Sequence, residues 1–186
     1  MAGRAALVVV DAQKAFEDPG FMGHPNNPAC DENIAALIAA WRERGQPLVY
    51  VRHDSTEPGS HLRPGEPGNA LKDAVGGEPD LLVTKSVNSA FHGEPDLAGW
   101  LRERGIEGVV VCGIQTNMCA ETTARVAANL GFDMRFAIDA TQTFDLAGPD
   151  GATIPADELA RVTAANLDAE FGRVVTTAEA IEELEG

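Results

Sequence analysis

Three side chains in this sequence could together perform nucleophilic catalysis: the carboxylate of Asp11, the ammonium of Lys85 and the thiol of Cys119. A thiol attacks only as its thiolate, so it needs a group that takes its proton. A carboxylate can accept that proton and later deliver it to a departing nitrogen. An ammonium stabilises negative charge at either partner. Each residue also has an ordinary reading. An aspartate after a strand is often a turn or cap residue, a lysine there is usually solvated, and a cysteine is usually a small core residue. Cys112, inside an apolar run, and Cys30, beside a helix start, fit that packing role. Cys119 differs because it falls near a helix N-terminus, where the macrodipole and a nearby cation are expected to favour the thiolate.

The elements that would bring the three together can be read from periodicity. Ala5–Val10 is an unbroken apolar run that ends on Asp11. Further strands are predicted at Pro47–Val51, Leu81–Thr84, Gly108–Cys112, Met134–Ile138 and Arg173–Thr176. Helical spacing is predicted over Asp31–Arg44, Asp96–Arg104, Thr116–Leu130, Ala156–Ala169 and Ala178–Leu184, with Gly45, Gly105 and Gly131 as stops. Apolar strands that alternate with helices indicate a parallel sheet covered on both faces. Right-handed crossovers then give an α/β fold: a doubly wound, mostly parallel six-stranded sheet in a three-layer αβα sandwich. Ligands of such sheets bind at the carboxyl ends of the strands, near the point where strand order reverses. Asp11, Lys85 and the turn before Cys119 all fall at strand ends of that kind.

Composition narrows the function classes. The 186 residues suit a single domain over positions 1–186. A formal net charge of −15 opposes nucleic-acid and membrane partners. The first apolar run is too short for a signal peptide, and no run is long enough for a membrane span. Three cysteines without a C-x-x-C pair argue against a disulfide framework and point to a reducing, cytoplasmic setting. No G-x-G-x-x-G follows the first strand, which disfavours dinucleotide binding. A phosphoacceptor receiver would need several acids after that strand, and only Asp11 stands there.

At Cys112–Cys119, Cys-Gly-Ile-Gln-Thr-Asn-Met-Cys, the chain resembles the isochorismatase-like cysteine hydrolases. That superfamily includes nicotinamidases, N-carbamoylsarcosine amidases and streptothricin hydrolases. Asp11-Ala-Gln13-Lys-Ala-Phe16, Lys85 with Asn88-Ser-Ala-Phe91, and Asp139-Ala-Thr141 are similar to its other motifs, in the same order. The resemblance implies a Rossmann-like isochorismatase fold and cleavage of an amide, carbamoyl or lactam C–N bond through a thioester. It implies Cys119 as nucleophile, Asp11 as general base and Lys85 as the cation that lowers the thiol pKa. A cis peptide at Ile114–Gln115 is implied too, aiming the Gln115 and Cys119 amides at one point as an oxyanion hole. It further implies a homo-oligomer, dimer or tetramer.

The chain departs from parts of the family. Nicotinamidases commonly carry a metal after the second strand, whereas here that region reads Arg52-His53-Asp54-Ser55, with His61 further on. The ligand order is scrambled, so no metal is expected, and no organic cofactor is needed. Gln13, Phe16, His53 and Phe91 are candidates to contact a small-molecule substrate. Alternatives are hydrolysis of a vinyl ether, which isochorismatases proper perform without a cysteine nucleophile, and a catalytically silent binding member of the fold. The Gly- and Pro-rich stretch Arg52–Asp80 is long enough to suggest a functional loop. Asp145–Pro155 reads as a surface loop.

Overall fold

The structure is a computed structural model that describes residues 4–185. Six strands form one sheet: β1 (Ala5–Val10), β2 (Leu48–His53), β3 (Leu81–Lys85), β4 (Gly108–Ile114), β5 (Asp133–Gln142) and a short edge strand, Arg173–Val175. The spatial order is β3-β2-β1-β4-β5 and then the edge strand, and every pairing is parallel. Strand order reverses between β1 and β4, so the crevice at their carboxyl ends is the switch point expected of a doubly wound sheet.

Side-chain alternation divides the core into two layers. Leu7 and Val9 of β1 face one layer, which is closed by the helix Cys30–Glu43 through Ile34, Leu37, Ile38 and Trp41. Ala6, Val8 and Val10 face the other, closed by the helix Leu97–Glu103 through Leu97 and Leu101, by Glu121–Asn129 through Ala124 and Ala127, and by Ala156–Glu170 through Leu167. A last helix, Thr177–Glu185, returns to the first layer through Ala180. β1 is buried on both faces along its whole length, which is why it reads as an unbroken apolar run. Trp41 is fully buried and its indole N–H donates to the Ala5 carbonyl at 2.9 Å, tying a helix to the start of the central strand.

Three expectations change. The helix expected over Thr116–Leu130 is two pieces: a π-helical turn at Thr116–Ala120, then a regular helix from Glu121. β5 is longer than its apolar run and ends on polar residues. Its register against β4 shifts between Val111 and Gly113, because Thr141 and Gln142 rejoin the sheet opposite Gly113 and Ile114. The loop expected at Asp145–Pro155 contains a two-stranded antiparallel hairpin, Leu146–Ala147 with Thr153–Ile154. Among the described residues, no helix is long and apolar enough to cross a membrane.

Candidate active site

Asp11 is the first residue past β1. Its backbone φ is +47°, a left-handed value that is uncommon for a residue with a side chain. Such conformations persist where surrounding structure over-determines them. Here the Asp11 amide donates to Val51 O at 3.0 Å, and the Asp11 carbonyl accepts from the Gln13 amide at 2.8 Å. The turn points the carboxylate into the switch-point crevice.

Lys85 is the last residue of β3, and its register partner on β2 is His53. The Lys85 ammonium reaches past His53 to Asp11 Oδ2 at 2.5 Å and lies 3.2 Å from His53 Nδ1. Both charged side chains are almost wholly shut off from water. An ammonium only donates, so Nδ1 is the acceptor and the imidazole proton sits on Nε2. Burial and the Lys85 charge hold the His53 pKa down at about 4, so the ring is neutral at pH 7. Burial raises the Asp11 pKa, and Lys85 opposes that rise. Asp11 Oδ1 is buried, and the Cys119 thiol acts on this carboxylate as a hydrogen-bond donor.

Cys119 follows β4 by way of the cis Ile114–Gln115 peptide and the π-helical turn. The Met118 and Ala120 amides donate to the Gln115 carbonyl at 3.1 and 3.2 Å, bracketing the Cys119 amide. The thiol, the Asp11 carboxylate and the His53 imidazole each bring one donor atom within 4.8 Å of the others. The Asn88 amide nitrogen lies 3.7 Å from the sulfur. Lys85 lowers the thiol pKa as expected, but the net shift is upward. Burial and the Asp11 charge push Cys119 up to about 12, and the Lys85 charge only partly opposes them. Lys85 bonds Asp11 and acts on the sulfur as well, so its one charge is shared between the carboxylate and the thiol. Cys30 and Cys112 are fully buried, and burial raises both thiols, in keeping with a packing role.

These groups floor a pocket of about 260 Å³. Phe16, Leu62, Ile114 and Met118 give it apolar walls, and His53, Asn88 and Gln115 add polar groups. Phe16 also stacks on Phe144 at 6.0 Å, so it belongs to core and pocket alike. Two candidate substrate contacts do not line this pocket. Gln13 is fully buried: its carboxamide donates to the His53 and Asn69 carbonyls at 3.0 and 2.9 Å, and accepts from the His53 amide at 2.8 Å. It clamps the end of β2, because a polar side chain sealed behind the sheet must satisfy itself on backbone. Phe91 stacks on Phe132 at 5.7 Å in the helix-covered layer behind the crevice. Leu62, Asn88 and Met118 escaped sequence reasoning. Asn88 sits three residues past Lys85 and Met118 just before Cys119, so proximity to motif residues was their signal. Leu62 had none, because its place depends on Asn69, whose Nδ2 binds the Leu62 and His53 carbonyls at 2.8 and 3.1 Å.

His53, Asp54 and His61 do not assemble as a ligand set. Asp54 is held by Arg52 at 2.8 and 2.9 Å and by Asn69 at 2.9 Å, while His61 stacks on Phe21 at 4.7 Å. Asp11, His53 and Cys119 have suitable donor atoms, but the Lys85 ammonium already bonds two of the three. A metal ion there would meet that fixed positive charge and a protonated thiol, so the donor set fits a metal poorly. Asp139, the remaining motif residue, caps the last helix: its carboxylate accepts from the Thr177 amide at 2.7 Å and hydroxyl at 2.8 Å.

Residues 5–179 match the model of the Isochorismatase domain. The chain is 36% identical over 182 residues to the uncharacterized isochorismatase family protein YrdC of Bacillus subtilis, covering 97% of this chain and 96% of that protein. It is 34% identical over 155 residues to Nicotinamidase 3 of Arabidopsis thaliana, covering 76% and 74% of the two chains. A solved structure of an isochorismatase-family protein from Chromobacterium violaceum superposes with a TM-score of 0.93 at 39% identity, covering 100% of this chain and 96% of that one. The chain therefore belongs to the isochorismatase family of hydrolases.

Proposed function

We propose that this protein hydrolyses a C–N bond of a small molecule through a thioester on Cys119. One observation carries the reading: a buried Asp11–Lys85 pair lies beside the Cys119 thiol in a pocket at the sheet's switch point. Packing alone demands neither the buried charge pair nor its proximity to a thiol, since a buried ion pair usually gains little stability over apolar residues.

The raised thiol pKa dictates the order of events. The resting thiol keeps its proton, and Lys85 balances the single negative charge of Asp11. As sulfur adds to the substrate carbonyl, its proton passes to Asp11, whose own raised pKa suits it to hold one. The negative charge moves to the carbonyl oxygen, where the Gln115 and Cys119 amides serve as the oxyanion hole. Asp11 then gives the proton to the departing amine or ammonia, and the C–N bond breaks to leave the thioester. Water enters, Asp11 takes one of its protons, and hydroxide addition releases the carboxylic acid and returns the proton to sulfur. Nicotinamidase 3, by its name a hydrolase of such a bond, supports amide chemistry on this fold.

The test is ammonia release from a panel of small amides, ureides and carbamoyl acids, with Cys119→Ala as control. Release lost in the variant supports the reading. A covalent adduct trapped on Cys112 in place of Cys119, or release unchanged in the variant, overturns it.

A further inference from the structure

The charges facing the pocket say what kind of acyl group it accepts. Apart from Asp11, its lining offers no ionised group: the Cys119 thiol keeps its proton, His53 is neutral, and Asn88 and Gln115 are amides. The cations nearby are committed. Lys85 is fully buried on Asp11 and His53, Arg52 is bound by Asp54 through two nitrogens, and Lys14 pairs with Asp73 at 2.8 Å. Arg63 follows Leu62, but it is exposed and does not line the pocket.

We propose that the pocket selects small carboxamides with an uncharged, apolar acyl group and rejects those carrying a carboxylate, an inference that rests on the hydrolysis at Cys119 proposed above. A second carboxylate would have to leave water for a pocket walled by Phe16, Leu62, Ile114 and Met118, with no cation to receive it. The net charge of −15 adds a repulsive field at longer range. An uncharged acyl group meets neither cost. The volume of about 260 Å³ suits one ring or a short chain. His53 Nε2–H and the Asn88 and Gln115 amides supply the hydrogen bonds that orient a carboxamide. His53 thus acts as a neutral donor toward substrate, its tautomer fixed by Lys85 on the opposite nitrogen.

The experiment compares matched pairs that differ by one carboxylate. Turnover is measured for hexanamide against adipamate and for benzamide against 4-carbamoylbenzoate. In parallel, hexanal and adipic semialdehyde, which add reversibly to a cysteine thiol, are tested for protection of Cys119 from iodoacetamide, read by peptide mass. The uncharged member is expected to win by about tenfold or more in both assays, a preference that survives in Arg63→Ala. Equal or better protection by the anionic aldehyde overturns the inference, and so does failure of the uncharged aldehyde to protect. An anionic preference that vanishes in Arg63→Ala overturns it and identifies Arg63 as the cation responsible. If the uncharged aldehyde protects selectively while no amide is cleaved, the pocket inference stands and the hydrolytic reading falls.

Discussion

At Cys119 two neighbours act on the same proton in opposite senses. The Asp11 carboxylate disfavours the thiolate and the Lys85 ammonium favours it, with burial deciding for the thiol. Alkylation by iodoacetamide should therefore rise about tenfold per pH unit between pH 7 and 10, because only the thiolate reacts. A plateau already reached at pH 7 would contradict this. Asp11→Asn removes the opposing charge, so its alkylation at pH 8 should be faster than wild type by about tenfold. On the proposed mechanism its turnover should fall by about 10²–10⁴, because that mechanism uses Asp11 as general base. Labelling that speeds up at Cys119 while the buried Cys30 and Cys112 stay protected separates this effect from misfolding, which would expose all three thiols. Lys85→Met leaves a carboxylate buried without a partner and should cost about 3–5 kcal/mol in denaturant unfolding. The double variant Lys85→Met, Asp11→Asn, which removes both charges and keeps a side chain that tolerates the left-handed turn, should recover most of that loss while remaining inactive on the proposed mechanism.

The strand ends that present these residues depend on close backbone approach. Gly113 has φ +115°, and a Cβ there would be driven into the Val10 carbonyl of the neighbouring strand. Gly131 also has a positive φ, +89°, but its Cβ would meet open space. Gly131→Ala should therefore cost about 1–2 kcal/mol, the penalty of a left-handed residue alone. Gly113→Ala should cost clearly more, because β1 and β4 must part at the crevice that holds Asp11 and Cys119. Thermal unfolding of the two variants side by side checks the difference, and equal losses would mean that the close approach is easily relieved. The same scale explains what the sequence concealed. Gln13 and Phe91 sit inside motif segments, yet side-chain direction at a turn depends on the turn's geometry. Gln13 is directed back under β2 and Phe91 into the layer behind β3. The π-helical turn before the helix at Glu121 carries no periodicity that distinguishes it from an ordinary first turn.

For the molecule as a whole, His53 links the site to acid stability. Its folded pKa, about 4, lies below the ordinary value of 6.5. Folding favours the neutral ring, so its contribution is complete above about pH 6.5 and is lost as pH falls toward 4. His53→Gln should flatten the fall in stability over that window without altering it above pH 7. Urea unfolding at pH 7.5, 6, 5 and 4.5 reads this directly, and an unchanged slope in the variant would refute it. Burial raises the Asp54 and Glu183 pKa values, but the hydrogen bonds and charges around them, led by Arg52 and Arg135, outweigh it and lower both. These carboxylates therefore add to the loss at lower pH, where they begin to protonate.

The sequence alone determined the alternation of apolar strands and amphipathic helices, and with it a parallel sheet whose carboxyl ends collect Asp11, Lys85 and the turn leading to Cys119. Those features are local: a fully buried strand must be apolar throughout, and the chain leaves it at a fixed end. Tertiary structure decided what depends on neighbours distant in the chain. It committed Lys85 to Asp11 and left the thiol protonated, because desolvation is set by what surrounds a group. It made Gln13 a clamp, packed Phe91 half-buried against Phe132, and brought Leu62 to the pocket wall through Asn69. Among the described residues it also left the pocket lining without a cation, a property of how side chains from several strand ends face one another.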